Sequence, residues 1–295
     1  MKKIIQAILQ KELKEEIQSI NEIKGLGAVN KIFDIKGISN SYILRLNEEA
    51  DKNIEYQKEK WCLDKVLSVG IPTAKVINIG FDFGIPYMIQ EKINGINGQF
   101  CSPTEKQTIW KTLGKYAKKY HQIKRIENKT VAQNEFHKNW KSRLEYNIKE
   151  LNQEDSLLQN NILTSQEQQQ SRRGLKKLIN KEFKVGLVHG DLCPRNVIWS
   201  KDGIYLLDWG TAEINVVPHI EIGILLMSGE AKEEAFKHFL EGLEISQKEY
   251  GNIQKEIETL NYLHRLDKYR WAETYDVQNI ARYEKKLRDT FEKLK

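Results

Sequence analysis

The stretch Leu187-Val-His-Gly-Asp-Leu-Cys-Pro-Arg-Asn-Val-Ile-Trp199 constrains this chain more than any other. Two apolar runs, Leu187-Val188 and Val197-Ile198-Trp199, flank His189, Asp191, Arg195 and Asn196. The flanks read as short buried strands or strand ends. Gly190 and Pro194 mark the segment between them as a turn. A turn held by buried flanks fixes polar side chains in place, which suits chemistry. A plain polar turn fits the isolated stretch equally well, so the rest of the chain decides.

A second acid follows at a telling interval. Asp208 closes the strand-like run from Gly203 and precedes Trp209-Gly210, 17 residues after Asp191. That interval accommodates one short hairpin. A hairpin between Asn196 and Asp208 brings Asp191, Asn196 and Asp208 to one end of a sheet. Two carboxylates and an amide oxygen are hard donors, and they suit Mg²⁺ carrying phosphate oxygens.

The remaining sequence can supply a scaffold for such a site. Its 295 residues are 40% hydrophobic and 30% charged, enough for a large core in two lobes. No run approaches the ~20 apolar residues that span a bilayer. Residues 1–20 have a basic tip and a short apolar patch, and they read as an amphipathic first helix rather than a signal peptide. Cys62, Cys101 and Cys193 are far apart and lack metal-ligand spacing, so a reducing, cytoplasmic compartment is expected. Net charge is +6, but residues 1–210 carry +9 and residues 211–295 carry −3. A basic front attracts a polyanion such as a nucleotide, and an acidic tail attracts a cationic substrate. Solvated helix faces account for most of these charges equally well. No nucleic-acid-binding motif stands out.

The early part of the chain alternates strands with one helix. Residues 31–35 and 41–46 read as strands around a turn at Lys36-Gly-Ile-Ser-Asn40. A helix is expected over 50–69, ended by Gly70-Ile71-Pro72, and strands over 75–79 and 85–90. Asn94-Gly-Ile-Asn-Gly98 looks like a linker. Helices are expected near 104–124, 134–152 and 166–181, with a Gln- and Asn-rich loop or helix junction from Asn152 to Gln170. Residues 231–292 are nearly all helical by pattern.

HGDLCPRN followed by LLDWG resembles the aminoglycoside phosphotransferase and choline kinase group, which shares the protein-kinase fold. The resemblance implies an α+β, protein-kinase-like two-lobed fold. A small antiparallel-sheet lobe, 1–92, would bind nucleotide, and a larger helical lobe, 93–295, would carry the catalytic loop and acceptor site. It implies that Asp191 is the catalytic base and that Asn196 and Asp208 hold Mg²⁺. His189 would brace the loop. Cys193 reads as a small filler, not a nucleophile. Arg195 stands where the group often has a small residue. It suits substrate or phosphate contact, and a loop-bracing role no less.

The same resemblance extends through the first lobe. Lys24-Gly-Leu-Gly-Ala-Val-Asn30 would be the phosphate loop, with Gly25 and Gly27 admitting close backbone approach and Asn30 ending it. In Tyr42-Ile-Leu-Arg45, Arg45 replaces the expected phosphate-binding Lys. It would pair with Glu59, with Glu55 the second choice. Pro86 to Gly95 resembles the strand and hinge that hold the base of ATP or GTP. Met88 would lie behind the base, with Gln90, Glu91 and Ile93 around it. Glu221 replaces an Asp that usually anchors the helical lobe, and a structural role is expected. The resemblance spans about 20–225, and residues 130–180 and 230–295 do not align.

Asp267, Trp271 and Tyr275 recur at a helical spacing of four. An acid beside aromatic rings suits a cationic amine, through salt bridges and cation–π contacts. Packing of Trp271 and Tyr275 onto the lobe is the competing reading. The expected activity is Mg²⁺-dependent phosphoryl transfer to a small-molecule hydroxyl. An aminoglycoside leads as acceptor, implying antibiotic resistance, and an amino alcohol or sugar comes second. A nucleotide-binding pseudokinase is the alternative, motivated by Arg45 alone. No nucleic acid or membrane is expected as a partner.

Overall fold

The computed structural model describes residues 1–23, 30–49, 52–124 and 140–294. They form two compact units. The first comprises 1–112 and 193–212, and the second 113–192 and 213–295, each over its described residues.

The first unit opens with helix α1 (Lys2–Glu12) and five strands: β1 (Ile17–Ile23), β2 (Lys31–Gly37), β3 (Ser41–Leu46), β4 (Val76–Asp82) and β5 (Ile85–Glu91). Helix α2 (Lys52–Ser68) lies between β3 and β4 in sequence. The strands pair antiparallel in the order β1-β2-β3-β5-β4. Side chains alternate across a strand, so one face of this sheet collects Phe33, Ile35, Leu44, Leu46, Tyr87 and Ile89. Ile5, Ile8, Leu9 and Leu13 cover them, forming one core cluster. Their spacing of three and four along α1 makes that helix one-sided.

The amphipathic N-terminal helix is shorter than expected. It ends at Glu12, and Ile17–Ile23 is a strand. Ile17, Ile20 and Ile23 recur every three residues, which imitates a helix. A bulge between Ile17 and Ser19 breaks the period of two and hides the strand. Glu15 fastens this corner by accepting hydrogen bonds from the Ser39 N–H at 2.8 Å and from the Tyr42 hydroxyl.

Residues 94–98 are not a free linker. Ile96 and Asn97 form β6, which pairs with β8 (Val197–Ser200), itself paired with β9 (Gly203–Leu206). Helix α3 (Pro103–Tyr120) then carries the chain into the second unit.

The second unit is mostly helical. Its elements are α4 (Trp140–Glu150), α5 (Ser156–Gln159), α6 (Ser165–Lys176), β7 (Val185–Val188), β10 (Glu213–Val216), α7 (His219–Ser228), α8 (Glu233–Leu243), α9 (Gln247–Tyr275) and α10 (Ile280–Glu292). The expected helix over 134–152 is seen from Trp140, and residues 134–139 lie outside the described residues. The Gln- and Asn-rich stretch is built, not loose. Thr164 caps α6 in a box with Glu167, and Ser246 caps α9 with Glu249. Leu144, Leu157, Leu163, Leu175, Leu266, Leu287 and Phe291 belong to the core these helices share. Arg270 donates two hydrogen bonds to the buried Asp155 carboxylate, at 3.0 and 3.1 Å. Among the described residues, no helix is long and apolar enough to cross a membrane.

Candidate active site

The hairpin expected between Asn196 and Asp208 is present. Val197 faces Leu206 and Ser200 faces Gly203 across β8 and β9. The Leu207 N–H donates to the Asn196 carbonyl at 2.9 Å. Asn196 and Asp208 therefore leave the same end of the hairpin. Asn196 is buried and ends a short 3-10 turn, Pro194–Asn196, whose first residue is pre-set by proline. Asp208 is exposed and sits at φ +60°, a left-handed conformation unusual for a residue with a Cβ. Such strain persists where the surroundings over-determine it, which is common at functional sites.

Two glycines let residues 95–98 lie on this hairpin. A Cβ on Gly98 would sit 2.6 Å from the Pro194 carbonyl oxygen, and one on Gly95 would sit 2.4 Å from that of Trp199. The Asn97 side-chain amide donates to the Arg195 carbonyl at 2.7 Å. Arg195 itself is exposed. On the opposite side, the Thr73 hydroxyl donates to the Leu206 carbonyl at 2.6 Å.

Arg45 projects from β3 and pairs with Glu59 of α2 at 2.6 Å. Glu59 is the acid the sequence favours, and Glu55 instead pairs with Lys52 at 2.8 Å. Tyr56, one turn before Lys60, places its ring 5.5 Å from the Arg45 guanidinium carbon. Burial alone would depress the guanidinium pKa. The charges of Glu59 and Asp208 outweigh it and hold Arg45 above its ordinary value. A Cβ on Gly210 would lie 3.5 Å from a carboxylate oxygen of Asp208 and 3.9 Å from one of Glu59. Arg45, Glu59 and Asp208 thus share one neighbourhood of the first unit.

Asn30 accepts hydrogen bonds from Asn47 and from the Tyr56 hydroxyl, each at 3.0 Å. Gly25 and Gly27 lie outside the described residues. Met88 is fully buried opposite Arg45 in register, and Gln90 is also buried. The Glu91 carboxylate accepts from the Lys75 N–H at 3.0 Å, while the backbone N–H groups of Glu91 and Lys92 bond to Lys75 and Ser41. Ile93, half-buried, follows the strand. Lys92 also pairs with Asp34 at 2.6 Å.

In the second unit, β7 leads directly into His189-Gly190-Asp191. Glu221 of α7 holds this segment. Its carboxylate accepts from the backbone N–H of His189 at 2.8 Å, of Gly190 at 3.2 Å, and from the Tyr120 hydroxyl at 2.6 Å. His121 Nε2 lies 3.8 Å away. Burial pushes the Glu221 carboxyl up, but His121, His189 and Tyr120 outweigh it and leave it below the usual range. His189 is fully buried, and its Nδ1 accepts from the Asp191 N–H at 3.2 Å. Both expected bracing roles, of His189 and Glu221, are met by these contacts. Tyr120 and His121 were missed from sequence. Their signal was a Tyr-His pair ending an amphipathic helix on its buried side.

The tail residues separate. Asp267 pairs with Arg143 and accepts from Asn147 at 2.6 Å. Burial raises its carboxyl, against the lowering effect of Arg143 and Asn147. Trp271 and Tyr275 stay exposed and stack at 5.8 Å, with Lys268 5.6 Å from the Trp271 ring. The rings share a face, while the acid is already neutralised within the fold.

The first unit thus carries the Arg45–Glu59 pair and the hairpin with Asn196 and Asp208, and the second unit carries the braced segment His189–Asp191. Residues 25–272 match the model of the phosphotransferase enzyme family, and the chain belongs to that family. The match runs through stretches that the motifs alone do not align. No curated protein matches. Among solved structures, the chain is similar to choline kinase LicA from Streptococcus pneumoniae. Identity is 17%, 99% of each chain is covered, and the TM-score is 0.65. It is similar to ADP-bound aminoglycoside phosphotransferase APH(2'')-Ib at 15% identity, 99% coverage of each chain and TM-score 0.67. A third, a GDP and kanamycin complex of an APH(2'') protein, has 13% identity, 97% coverage of this chain and 98% of that one, and TM-score 0.67. The fold is the two-lobed, kinase-like one, with an antiparallel sheet early in the chain and helices late in it.

Proposed function

We propose that this protein transfers the γ-phosphoryl group of ATP or GTP to a hydroxyl of a small molecule, with Mg²⁺. The observation that carries the reading is the Arg45–Glu59 pair beside Asp208. A scaffold that only binds nucleotide needs such a pair too, but it has no need of a base, Asp191, together with both Asn196 and Asp208.

Each residue has a task. Arg45, fixed by Glu59, binds the phosphates. The base lies against Met88, between Gln90 and Ile93. The N–H groups of Glu91 and Lys92 are spent in the sheet, so the Ile93 N–H is the donor for the base. Asn196 and Asp208 offer an amide and a carboxylate oxygen from one hairpin end, a donor set that fits Mg²⁺ bound jointly with phosphate oxygens. The ion, when bound, neutralises charge on the transferring group. Asp191 orients the acceptor hydroxyl and takes its proton as the new O–P bond forms. The bond from phosphorus to the bridging oxygen breaks, and its electron pair leaves with the nucleoside diphosphate.

Aminoglycoside-type antibiotics head the acceptor classes, which would make the protein a resistance kinase. Amino alcohols and sugars follow. Solved structures of the same fold are named for an aminoglycoside and for choline. The test is nucleoside diphosphate release with each acceptor class, in wild type and Asp191→Asn. Loss of acceptor-dependent release in the variant, with nucleotide affinity kept, supports the reading. Equal release from both proteins sinks it.

A further inference from the structure

Tyr56 is a third side chain at the Arg45–Glu59 pair. It precedes Glu59 by three residues in α2, so both side chains leave one face of that helix. It is buried, at 2% exposure. Arg45 reaches the same face from β3. Its guanidinium bonds to the Glu59 carboxylate at 2.6 Å, and its central carbon lies over the Tyr56 ring at 5.5 Å. The acid fixes the charge at one edge of the guanidinium, and the aromatic ring supplies a surface for its face.

The Tyr56 hydroxyl has a task of its own. It donates to the side-chain oxygen of Asn30 at 3.0 Å, and the Asn47 side-chain amide donates to the same oxygen at 3.0 Å. Burial pushes the Tyr56 phenol above its ordinary value, so it stays protonated and remains a donor. Lys31 faces Leu46 across β2 and β3, which makes Asn30 and Asn47 the next residues out at that end of the pair. Asn47 fastens the same corner further. Its N–H donates to the Pro86 carbonyl at 3.2 Å, and its side-chain oxygen accepts from the Glu49 N–H at 2.8 Å. One aromatic residue therefore ties α2 to the strand ends and also lies against the cation.

We propose that Tyr56 is a positioning residue for nucleotide binding: its ring orients the Arg45 guanidinium toward the phosphates, while its hydroxyl holds α2 against the strand ends. This rests on the phosphoryl-transfer reading, in which Arg45 binds the phosphates. It also accounts for arginine at position 45. A planar guanidinium stacks on an aromatic face and keeps its fork of donors for phosphate oxygens. A lysine ammonium is a compact point charge on a flexible stem, and the ring would orient it far less. Arg45 and Tyr56 are thus a matched pair, and the loss of either removes most of the use of the other.

The test is a double-mutant cycle on the full chain, with ATP and GTP binding read by calorimetry. Tyr56→Leu should weaken triphosphate binding by about tenfold, the worth of a desolvated cation–π contact. Tyr56→Phe keeps the ring and nearly all of the volume. It should weaken binding by about threefold, the worth of one neutral hydrogen bond. In an Arg45→Lys background, Tyr56→Leu should cost only about threefold, the hydroxyl's share. Adenosine and guanosine carry no phosphate and should bind every variant as they bind wild type. An effect of Tyr56→Leu as large beside Lys as beside Arg45 overturns the proposal. So does triphosphate affinity indifferent to both Tyr56 variants, or an equal loss for the nucleosides, which marks a general loosening of the unit. A wild type that binds neither ATP nor GTP removes both this inference and the phosphoryl-transfer reading. A cycle that behaves as expected in a protein that phosphorylates no acceptor keeps the role of Tyr56 and defeats that reading alone.

Discussion

Arg45 on β3 and Glu59 on α2 form a nearly dry ion pair, with side chains 13% and 2% exposed. Removing one member leaves the other charged and buried, which costs far more than the pair contributes. Glu59→Ala should therefore destabilise the protein by about 3 kcal/mol. The expected result is a lower thermal midpoint together with weaker nucleotide binding, read by calorimetry. Arg45→Lys should keep the charge but lose the fork, and bind nucleotide better than Arg45→Ala does.

Gly98 lies close against the turn that leads into the β8–β9 hairpin. Gly98→Ala places a carbon 2.6 Å from the Pro194 carbonyl oxygen, so the turn carrying Asn196 must shift. Overpacking of this kind costs roughly 1–3 kcal/mol. The Mg²⁺ concentration giving half-maximal turnover should rise in this variant. A Gly174→Ala control, where a Cβ meets nothing, should not change it.

Glu221 accepts two backbone N–H groups and the Tyr120 hydroxyl. Glu221→Ala strands these donors, at roughly 1–3 kcal/mol for each that water does not reach. Turnover should fall without loss of nucleotide affinity, because the loop before Asp191 loses its anchor. The pH dependence has a definite sign. The folded-state pKa is lowered, so the stabilisation is present above the ordinary carboxylate value of 4.5 and is lost as pH falls through the folded value. Denaturant midpoints measured from pH 6 downward should drop less steeply in Glu221→Gln than in wild type.

Glu15 offers a second acid-sensitive contact. The Tyr42 hydroxyl and the Ser39 N–H hold its carboxyl down to about 2. Tyr42→Phe should move that pKa upward, measurable by NMR titration of the Glu15 side chain.

How much of this could be read from the sequence depends on the range of the interaction. The hairpin from Asn196 to Asp208 was legible because its turn residues and apolar flanks are contiguous. Glu59 was legible as the partner of Arg45 through helix register and a following Gly-Ile-Pro stop. The strand Ile17–Ile23 was not, because a bulge gives its isoleucines a helical spacing. Asp267 misled for another reason. Spacing of four placed it with Trp271 and Tyr275, but its partner Arg143 lies far upstream in sequence, and no local pattern reports that.

The most direct test of phosphoryl transfer is ³¹P NMR of the full chain with Mg²⁺, ATP or GTP, and an acceptor panel of aminoglycosides, amino alcohols and sugars. A new phosphate monoester resonance is expected with one acceptor class, absent in Asp191→Asn and abolished by EDTA. No monoester with any acceptor, despite tight nucleotide binding, would contradict it.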